Sequence, residues 1–415
     1  MLTRVKLVWQ EYPSKFWVIV VTTFIDVIGG TLVFPFFALY ITQRFNVGMT
    51  QAGLLLGTFS LASLVGGALG GALADKFGRR RMVLFGLVFS ALSAVAMGLV
   101  DNLAAFYVLA VVVGLLADMA GPARQAMVAD ILPEEQRTEG FGILRVVANL
   151  SWIIGPTIGG LVASYSFLVL FVLDAIASLI TAVIIFKLLP ETKPQPTEDQ
   201  AKESLAQTFG GYRRVVQDRA YIGFLLVSML MVLVYQQLYS TLSVYLRDVH
   251  GVPTQGYGLL LSMNAVIVVI FQIAVTRRIK QLAPLLMMAA GTALYLVGFT
   301  MYGFVSSYAL FVVAMLFITF GEMIVVPVGQ ALAARFAPED MRGRYMAFYG
   351  FSFTIPEIIG PTAAGLIMDN ANPAWVWYIG GVLCAIAVGG FYALHARTGA
   401  RVAAQPIEQP APIEP

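Results

Sequence analysis

The sequence predicts an all-α integral membrane protein, with twelve membrane-spanning helices in two pseudo-symmetric bundles of six. Apolar residues make up 59% of the 415 positions and charged residues only 12%, whereas soluble domains carry about 25% charged residues. Apolar runs long enough to cross a bilayer recur along the chain, separated by short polar segments. Motifs of the first half also return in the second half at one constant spacing, which indicates a duplicated six-helix unit.

Hydropathy places six spans in the first half of the chain. The first, α1, is predicted at about 16–42 and follows a basic start. A polar loop at about 130–139 is expected between the fourth and fifth spans. The helices α2 to α6 are predicted at about 51–74, 82–100, 103–127, 140–163 and 166–189.

The next segment changes in composition, because 190–219 is charged, contains proline and has no span-length apolar run. Its second half, 204–216, is amphipathic enough for a short surface helix. We interpret 190–219 as a cytoplasmic linker. The helices α7 to α12 are predicted at about 220–247, 256–276, 283–304, 307–333, 344–368 and 373–395. The chain then divides into an N-terminal bundle (1–189), the linker (190–219), a C-terminal bundle (220–395) and a disordered cytoplasmic tail (396–415) rich in proline and alanine.

The distribution of basic residues predicts the orientation. With both termini in the cytoplasm, the outer loops hold only Arg44 and Arg247 as cations, as the positive-inside rule requires. We therefore expect a multi-pass protein of the inner or plasma membrane. The small net charge of +3 gives no reason to expect nucleic acid as a partner. The expected partners are the lipid bilayer, protons and a small-molecule substrate, and we expect a monomer.

The duplication is read from matches separated by 205 positions. The segment 133–137 lies over 338–342, Ile-Gly-Pro-Thr at 154–157 lies over the same letters at 359–362, and Gly-Leu-Leu-Leu at 53–56 lies over 258–261. One offset shared by loops and helices indicates two six-helix units related by an axis along the membrane normal. Such repeats place the substrate site between the halves, near the middle of the bilayer.

The segment 71–84 joins α2 to α3 through a short basic turn. It reads Gly-Ala-Leu-Ala-Asp-Lys-Phe-Gly-Arg-Arg-Arg-Met-Val-Leu. This order of small, acidic and basic residues resembles the loop signature of the major facilitator superfamily. The resemblance implies that Asp75 and Arg79 form a charge cluster with Asp130 that holds the outward-open state. The counterparts of the two acids in the second half are Lys280 and Arg335, so the cluster is expected on one side only. The residues that carry the signature are Gly71, Leu73, Asp75, Gly78, Arg79, Arg80 and Leu84.

Two further motifs resemble the drug:proton antiporter branch of this superfamily. The helix α5 carries small residues at regular intervals, which allow close approach to a neighbour, and Pro156, which bends it. Gly29 and Pro35 of α1 match part of another exporter motif. One departure is Ala110, where such exporters carry an arginine in α4. The α5 motif consists of Gly142, Ser151, Gly155, Pro156, Gly159 and Gly160.

Ionisable residues inside predicted spans are candidates for proton coupling, because a charge in hydrocarbon is costly without a partner or a pathway. The resemblance implies that α1, α4 and α10 line the cavity, which favours Asp26, Asp118 and Glu322; Glu322 is the best candidate. Glu357 follows a proline at mid-span and is a further candidate. The remaining membrane charges are Arg124 and Arg145, expected to snorkel or to pair with Asp118, and Asp174, for which a peripheral α6 implies a structural role.

Aromatic and polar residues of several spans are candidates for the substrate cavity. Apolar pockets with a few polar groups suit lipophilic ligands. The candidates are Phe34, Phe37, Asn149, Trp152, Tyr235, Gln236, Gln237, Tyr239 and Asn264.

No constellation typical of an enzyme is found in the sequence. The two histidines, His250 and His395, lie far apart, and the chain has no phosphate-binding Gly-Lys-Ser/Thr loop. The single cysteine, Cys384, supports neither a disulfide framework nor a metal cluster. No cofactor is expected, and a proton gradient is the expected energy source.

These features predict a secondary active transporter that works by alternating access, and more specifically a proton-coupled exporter of lipophilic or cationic small molecules, as in multidrug efflux. Three alternatives stay open. The first is a lipid or glycolipid flippase on the same fold, and the second is a proton-coupled transporter of a small metabolite. The third is a membrane receptor that does not transport.

Overall fold

The computed structural model of the chain describes residues 11–117, 119–192, 213–338 and 341–403, with the backbone alone at 68, 70–72, 74–75, 117, 138 and 399–403. Within these ranges the regular secondary structure is helical throughout. Twelve helices of this part of the chain are long and apolar enough to cross a membrane. The predicted fold class is therefore confirmed.

The first and seventh helices are interrupted by short 3₁₀ turns. The parts of α1 are Ser14–Val33, the turn Phe34–Phe36 and Phe37–Arg44. Those of α7 are Arg219–Tyr235, the turn Gln236–Leu238 and Thr241–His250. The other helices of the first half are α2 (Met49–Phe77), α3 (Arg79–Leu99), α4 (Leu103–Ala117 and Ala120–Ile131), α5 (Glu134–Ala163) and α6 (Phe167–Leu188). Those of the second half are α8 (Thr254–Ile279), α9 (Pro284–Met301), α10 (Tyr308–Phe336), α11 (Arg342–Asn370) and α12 (Trp375–Ala403).

The polar loop predicted at 130–139 is wrong. The helix α4 continues to Ile131 and α5 begins at Glu134, which leaves only Leu132 and Pro133 between them. Pro133 has the fixed backbone and the missing N–H that suit the position before a helix. The acidic residues that suggested a loop lie in the first turn of α5, where the helix dipole favours negative charge.

The boundary of the predicted tail is also corrected. The helix α12 continues to Ala403, so 396–403 is helical, because this segment is rich in alanine and arginine, which favour helix. The rest of the tail, 404–415, lies outside the described residues. Of the surface helix expected at 204–216, only 213–216 is described, and it belongs to a helical turn at 213–217. The limits of the two bundles and of the linker stay a prediction.

The chain groups into two compact units. The first comprises Met1–Asp199, Gln236–Val269 and Glu357–Pro373, and the second comprises Gln200–Tyr235, Ile270–Pro356 and Ala374–Pro415. One core of the first unit is aromatic, with the Tyr40 ring 4.8 Å from the Phe171 ring. In the second unit, Tyr221 is fully buried and donates a hydrogen bond to the Tyr345 carbonyl at 2.6 Å.

Candidate functional site

One end of the first unit is closed by a tight contact between α2 and α11. A Cβ added to Gly53 would lie 2.5 Å from the Pro361 carbonyl oxygen, so these backbones touch directly. The Asp369 carboxylate accepts hydrogen bonds from the N–H groups of Met49 at 2.9 Å and Thr50 at 2.8 Å. It thereby caps the first turn of α2 with a negative charge, which the helix dipole favours.

A second contact of the same kind joins α5 to α8. A Cβ added to Gly258 would meet the Pro156 carbonyl oxygen. Beside it, the Thr157 hydroxyl donates a hydrogen bond of 2.6 Å to the Ser262 hydroxyl. Two small residues of the α5 motif approach neighbours on different sides, since Gly155 lies against Thr31 of α1 and Gly160 lies against Gly258 of α8, whereas nothing lies within 4 Å of a Cβ at Gly142.

The two contacts are copies of each other. Gly53 and Gly258 are 205 positions apart, and so are Pro156 and Pro361. Each glycine meets the proline of the other half, so the segments that revealed the duplication form the same contact twice. We name these two contacts together the glycine–proline seal.

Next to this seal, α1, α5 and α7 bring three aromatic rings together. The centroid of Trp152 lies 5.3 Å from that of Tyr239 and 6.3 Å from that of Phe34. The Phe34 and Tyr239 centroids are 6.3 Å apart. Three residues predicted for the substrate cavity therefore form one aromatic cluster. Such edge-on arrangements leave ring faces available to a ligand.

A cavity of about 40 Å³ adjoins this cluster. Phe34 and Tyr239 line it on one side, and Ser60 of α2 and Glu357 of α11 on another. The Ser60 hydroxyl donates a hydrogen bond of 3.2 Å to a Glu357 carboxylate oxygen. One predicted proton-coupling carboxylate thus lies in the same cavity as the predicted aromatic residues. Gln236 also lines this cavity.

A second charged cluster lies between α1, α4 and α6. Arg124 donates a hydrogen bond of 2.7 Å to the Asp26 carboxylate. The partner expected for Arg124 is Asp118, which lies outside the described residues. Asp174, assigned a structural role from the sequence, lies against Gly29 of α1, where an added Cβ would be 2.7 Å from its Oδ1.

The basic turn between α2 and α3 is held by contacts to α4 and α6. The Arg79 guanidinium forms an ion pair with Asp130, as predicted, and donates to the Ala126 carbonyl at 3.3 Å. Gly78 has a φ of +100°, in the region that favours glycine. Gly71 and Asp75 lie in α2, where the structure describes their backbone alone.

Glu191, which follows α6, is a residue that sequence reasoning missed. Its carboxylate accepts the backbone N–H of Arg79 at 2.7 Å and of Arg80 at 3.2 Å, at the first turn of α3. A side chain at Gly78 would collide with this carboxylate at 2.6 Å. The Arg80 guanidinium lies over the Phe186 ring, 5.0 Å from its centroid.

The remaining candidates lie apart from these clusters. In the second unit, Glu322 follows Gly321, whose added Cβ would meet the Gly291 carbonyl at 2.7 Å, so α9 and α10 approach each other closely beside Glu322. Tyr235 stacks on Tyr295, with the centroids 5.5 Å apart. Four further candidates lie in the first unit. Asn149 is half-buried and Asn264 is buried. Phe37 is buried against Phe171, and buried Gln237 accepts a hydrogen bond from the Thr241 hydroxyl.

Twelve spans, a duplicated six-helix unit and membrane carboxylates beside an aromatic cavity define a membrane transporter rather than an enzyme. The model of the Major Facilitator Superfamily matches residues 19–356 and 257–415. The chain belongs to this superfamily.

Relatives and solved structures agree with that assignment. A Na(+), Li(+), K(+)/H(+) antiporter of Planococcus maritimus is 28% identical, over 80% of this chain and 84% of its own. Multidrug resistance protein 2 of Bacillus subtilis is 23% identical, over 87% and 90%. The crystal structure of a mutant of the nucleoside transporter NupG superimposes with a TM-score of 0.79, at 14% identity, over 91% and 99% of the two chains. This structural likeness concerns the fold.

Proposed function

We propose that the protein is a proton-coupled exporter of lipophilic cations in the cell membrane. The observation that carries the proposal is the aromatic cluster of Phe34, Trp152 and Tyr239 beside Glu357. Aromatic faces attract organic cations, and a carboxylate in the same cavity compensates the positive charge. A lipophilic cation satisfies both features, whereas a sugar or a peptide would need more hydrogen-bonding groups.

Two relatives support the two parts of this proposal. The multidrug resistance protein of Bacillus subtilis supports export of lipophilic compounds. The antiporter of Planococcus maritimus supports exchange of a cation against protons. Neither name fixes the substrate of this chain, so the chemical class rests on the cavity.

We further propose that the glycine–proline seal faces the outside of the cell. The excess of basic residues at the opposite ends of the helices supports this orientation, with both termini in the cytoplasm. The seal then closes the outer side, and Gly53 and Gly258 allow the backbones to meet there. Transport requires this seal to open, which is the alternating-access cycle of the superfamily.

Glu357 is the proposed link between the proton and the seal. It joins α11 to α2 through the hydrogen bond from Ser60, and an ionised acceptor makes this bond stronger than a neutral one. The charged carboxylate therefore both holds a cation and favours the closed seal. Once the seal has opened, a proton from outside neutralises the carboxylate, and the cation leaves outward because it has lost its counter-charge.

The test uses tetraphenylphosphonium as the lipophilic cation and the protein reconstituted in liposomes. A proton gradient should drive its transport by the wild-type protein, and Glu357→Gln should abolish gradient-driven transport, because the neutral side chain can neither release a proton nor hold the cation. Glu322→Gln is the comparison variant for transport. Equilibrium binding of tetraphenylphosphonium is measured separately with Trp152→Ala, which should weaken binding. Its matched control is Trp375→Ala, at an exposed tryptophan of α12.

Loss of transport in Glu322→Gln with full transport in Glu357→Gln would move the coupling role to Glu322. Gradient dissipation by Na⁺, Li⁺ or K⁺ without any transport of the organic cation would replace the proposal with inorganic cation exchange. Unchanged binding in Trp152→Ala would remove the aromatic cluster from the substrate site.

A further inference from the structure

Asp174 of α6 brings a second ionisable carboxyl group close to the Asp26–Arg124 pair. Its Oδ1 occupies the space that a side chain at position 29 would need. Gly29 is three residues after Asp26, on the same face of α1. Only a glycine at this position lets the α6 carboxyl approach the carboxyl of α1.

The charges around Asp174 do not balance. Asp26 lies about one helical turn before Gly29 and presents a like charge on the face of α1 that Asp174 approaches. The helix α3 carries no titratable residue from 82 to 99, and α6 itself carries only Lys187 at its end. The helix α5 carries Arg145 in its inner half, with an exposed side chain.

The Arg124 guanidinium donates its hydrogen bond to Asp26. A second unpaired carboxylate inside a membrane bundle is very costly. Two carboxyl groups that share a site lower this cost when one of them holds a proton. The geometry thus favours one proton for the pair.

A small cavity lies beside Arg124, between α1, α4 and α6. It measures about 10 Å³ and is lined by Arg124 and three threonines of α1 and α6, and it extends to Leu189, just after α6. This volume is close to the least that holds one water molecule. The Thr181 hydroxyl, which lines the cavity, donates a hydrogen bond of 3.4 Å to the Thr22 carbonyl. The threonines are Thr22, Thr23 and Thr181.

We propose that Asp174 and Asp26 share one exchangeable proton in a buried site between α1, α4 and α6, separate from the aromatic cluster. When the proton leaves, Asp174 becomes charged and competes with Asp26 for Arg124, which draws α6 and α4 together against α1. The site deepens the proposed function, because it supplies a second transported proton besides the one on Glu357.

The presence of the proton is tested without transport. Infrared difference spectra of the purified protein, recorded across pH in H₂O and D₂O, should show a carboxylic C=O band that titrates and shifts on deuteration. Asp174→Asn should lose this band, whereas the exposed-acid control Asp369→Asn should keep it. If the spectra of Asp174→Asn keep this carboxylic band unchanged from the wild type, the proposal is overturned.

The geometric part is tested by Gly29→Ala, which keeps both charges but displaces the Asp174 carboxyl. This variant should shift the titration midpoint of the band. Gly30→Ala is the matched control, because nothing lies within 4 Å of a Cβ at that position, and its midpoint should equal that of the wild type. Equal midpoints in both variants would contradict the placement, and this pair remains informative if Asp174→Asn does not fold.

The role in transport is tested by the number of protons exchanged per tetraphenylphosphonium, measured in liposomes from the gradient that just halts net flux. Asp174→Asn should lower this number by one and leave the cation affinity unchanged. An unchanged number would overturn the role in coupling. Wild-type liposomes that move no cation would contradict the proposed function alone, since the infrared band reports the proton site independently.

Discussion

Gly53 of α2 lies so close to Pro361 of α11 that an added Cβ would stand 2.5 Å from the proline carbonyl oxygen. The same relation holds between the residues 205 positions away in each case, Gly258 and Pro156. The repeat therefore identifies residues with equivalent contacts in the two halves. We expect the two contacts to respond alike when their glycines are replaced by alanine.

Gly53→Ala and Gly258→Ala should each destabilise the glycine–proline seal. A methyl group forced against a backbone carbonyl costs about 1–3 kcal/mol, which favours states in which the helices are apart. The measurement is labelling of Leu56→Cys, in a protein with Cys384→Ala, by a membrane-impermeant maleimide added outside. Labelling should be several-fold faster in both variants.

Gly142→Ala serves as the control for both changes, because nothing lies within 4 Å of a Cβ there. It should label at the rate of the parent protein. Faster labelling in only one of the two seal variants would show that the copies are not equivalent.

Asp369→Ala should weaken the same seal through the first turn of α2. It removes the acceptor for the Met49 and Thr50 N–H groups, and loss of such a cap costs about 1 kcal/mol. Asp369→Asn keeps one oxygen acceptor and should therefore have a smaller effect in the same labelling assay. Asp248→Asn, at an exposed aspartate of α7, should have none. An effect of Asp369→Asn as large as that of Asp369→Ala would assign the contribution to charge and not to the hydrogen bonds.

Glu191 predicts a pH dependence of stability. Burial raises the pKa of its carboxyl, but the backbone N–H groups of Arg80, Arg79 and Arg81 lower the pKa further, to a net value below the ordinary one. A depressed folded pKa gives stability above the unfolded pKa, about 4.3, and this stability is lost as pH falls through the folded value.

Thermal unfolding of the wild type and of Glu191→Gln should therefore differ most near neutral pH and converge below about pH 4. Gly78→Ala should also lower the unfolding temperature, because its φ of +100° strains a side chain there and the added Cβ would collide with the Glu191 carboxylate. A constant difference between wild type and Glu191→Gln across pH would exclude the carboxylate as the source of this stability.

Hydropathy and motif spacing predicted the twelve helices because each span is a local property of the chain. The Arg79–Asp130 pair was also predicted, since the resemblance covers both residues. The acidic start of α5 suggests a loop in the sequence, because charge alone does not distinguish a loop from the first turn of a helix.

Contacts across helices were harder to predict from a single sequence. Nothing in the sequence separates Asp26 from Asp118 as the partner of Arg124, because helix rotation decides which side chains face each other. The sequence assigned Asp174 a structural role because α6 was expected at the periphery. In the fold, Gly29 has no side chain, and this leaves room for the Asp174 carboxyl against α1. The offset of 205 positions relates Gly53 to Gly258 and Pro156 to Pro361. Only the fold shows that each glycine contacts the proline of the other half.

The 3₁₀ turns of α1 and α7 have different local causes. Pro35 lies in the turn of α1, whereas its counterpart in α7 is Ser240, so a proline is not what interrupts the second helix. The division between the compact units falls at Gln236, the first residue of the α7 turn. The offset of 205 places the α1 turn over 239–241, three residues after the α7 turn. Because a 3₁₀ segment within a helix often marks a hinge, we expect the two parts of each half's first helix to move separately during transport.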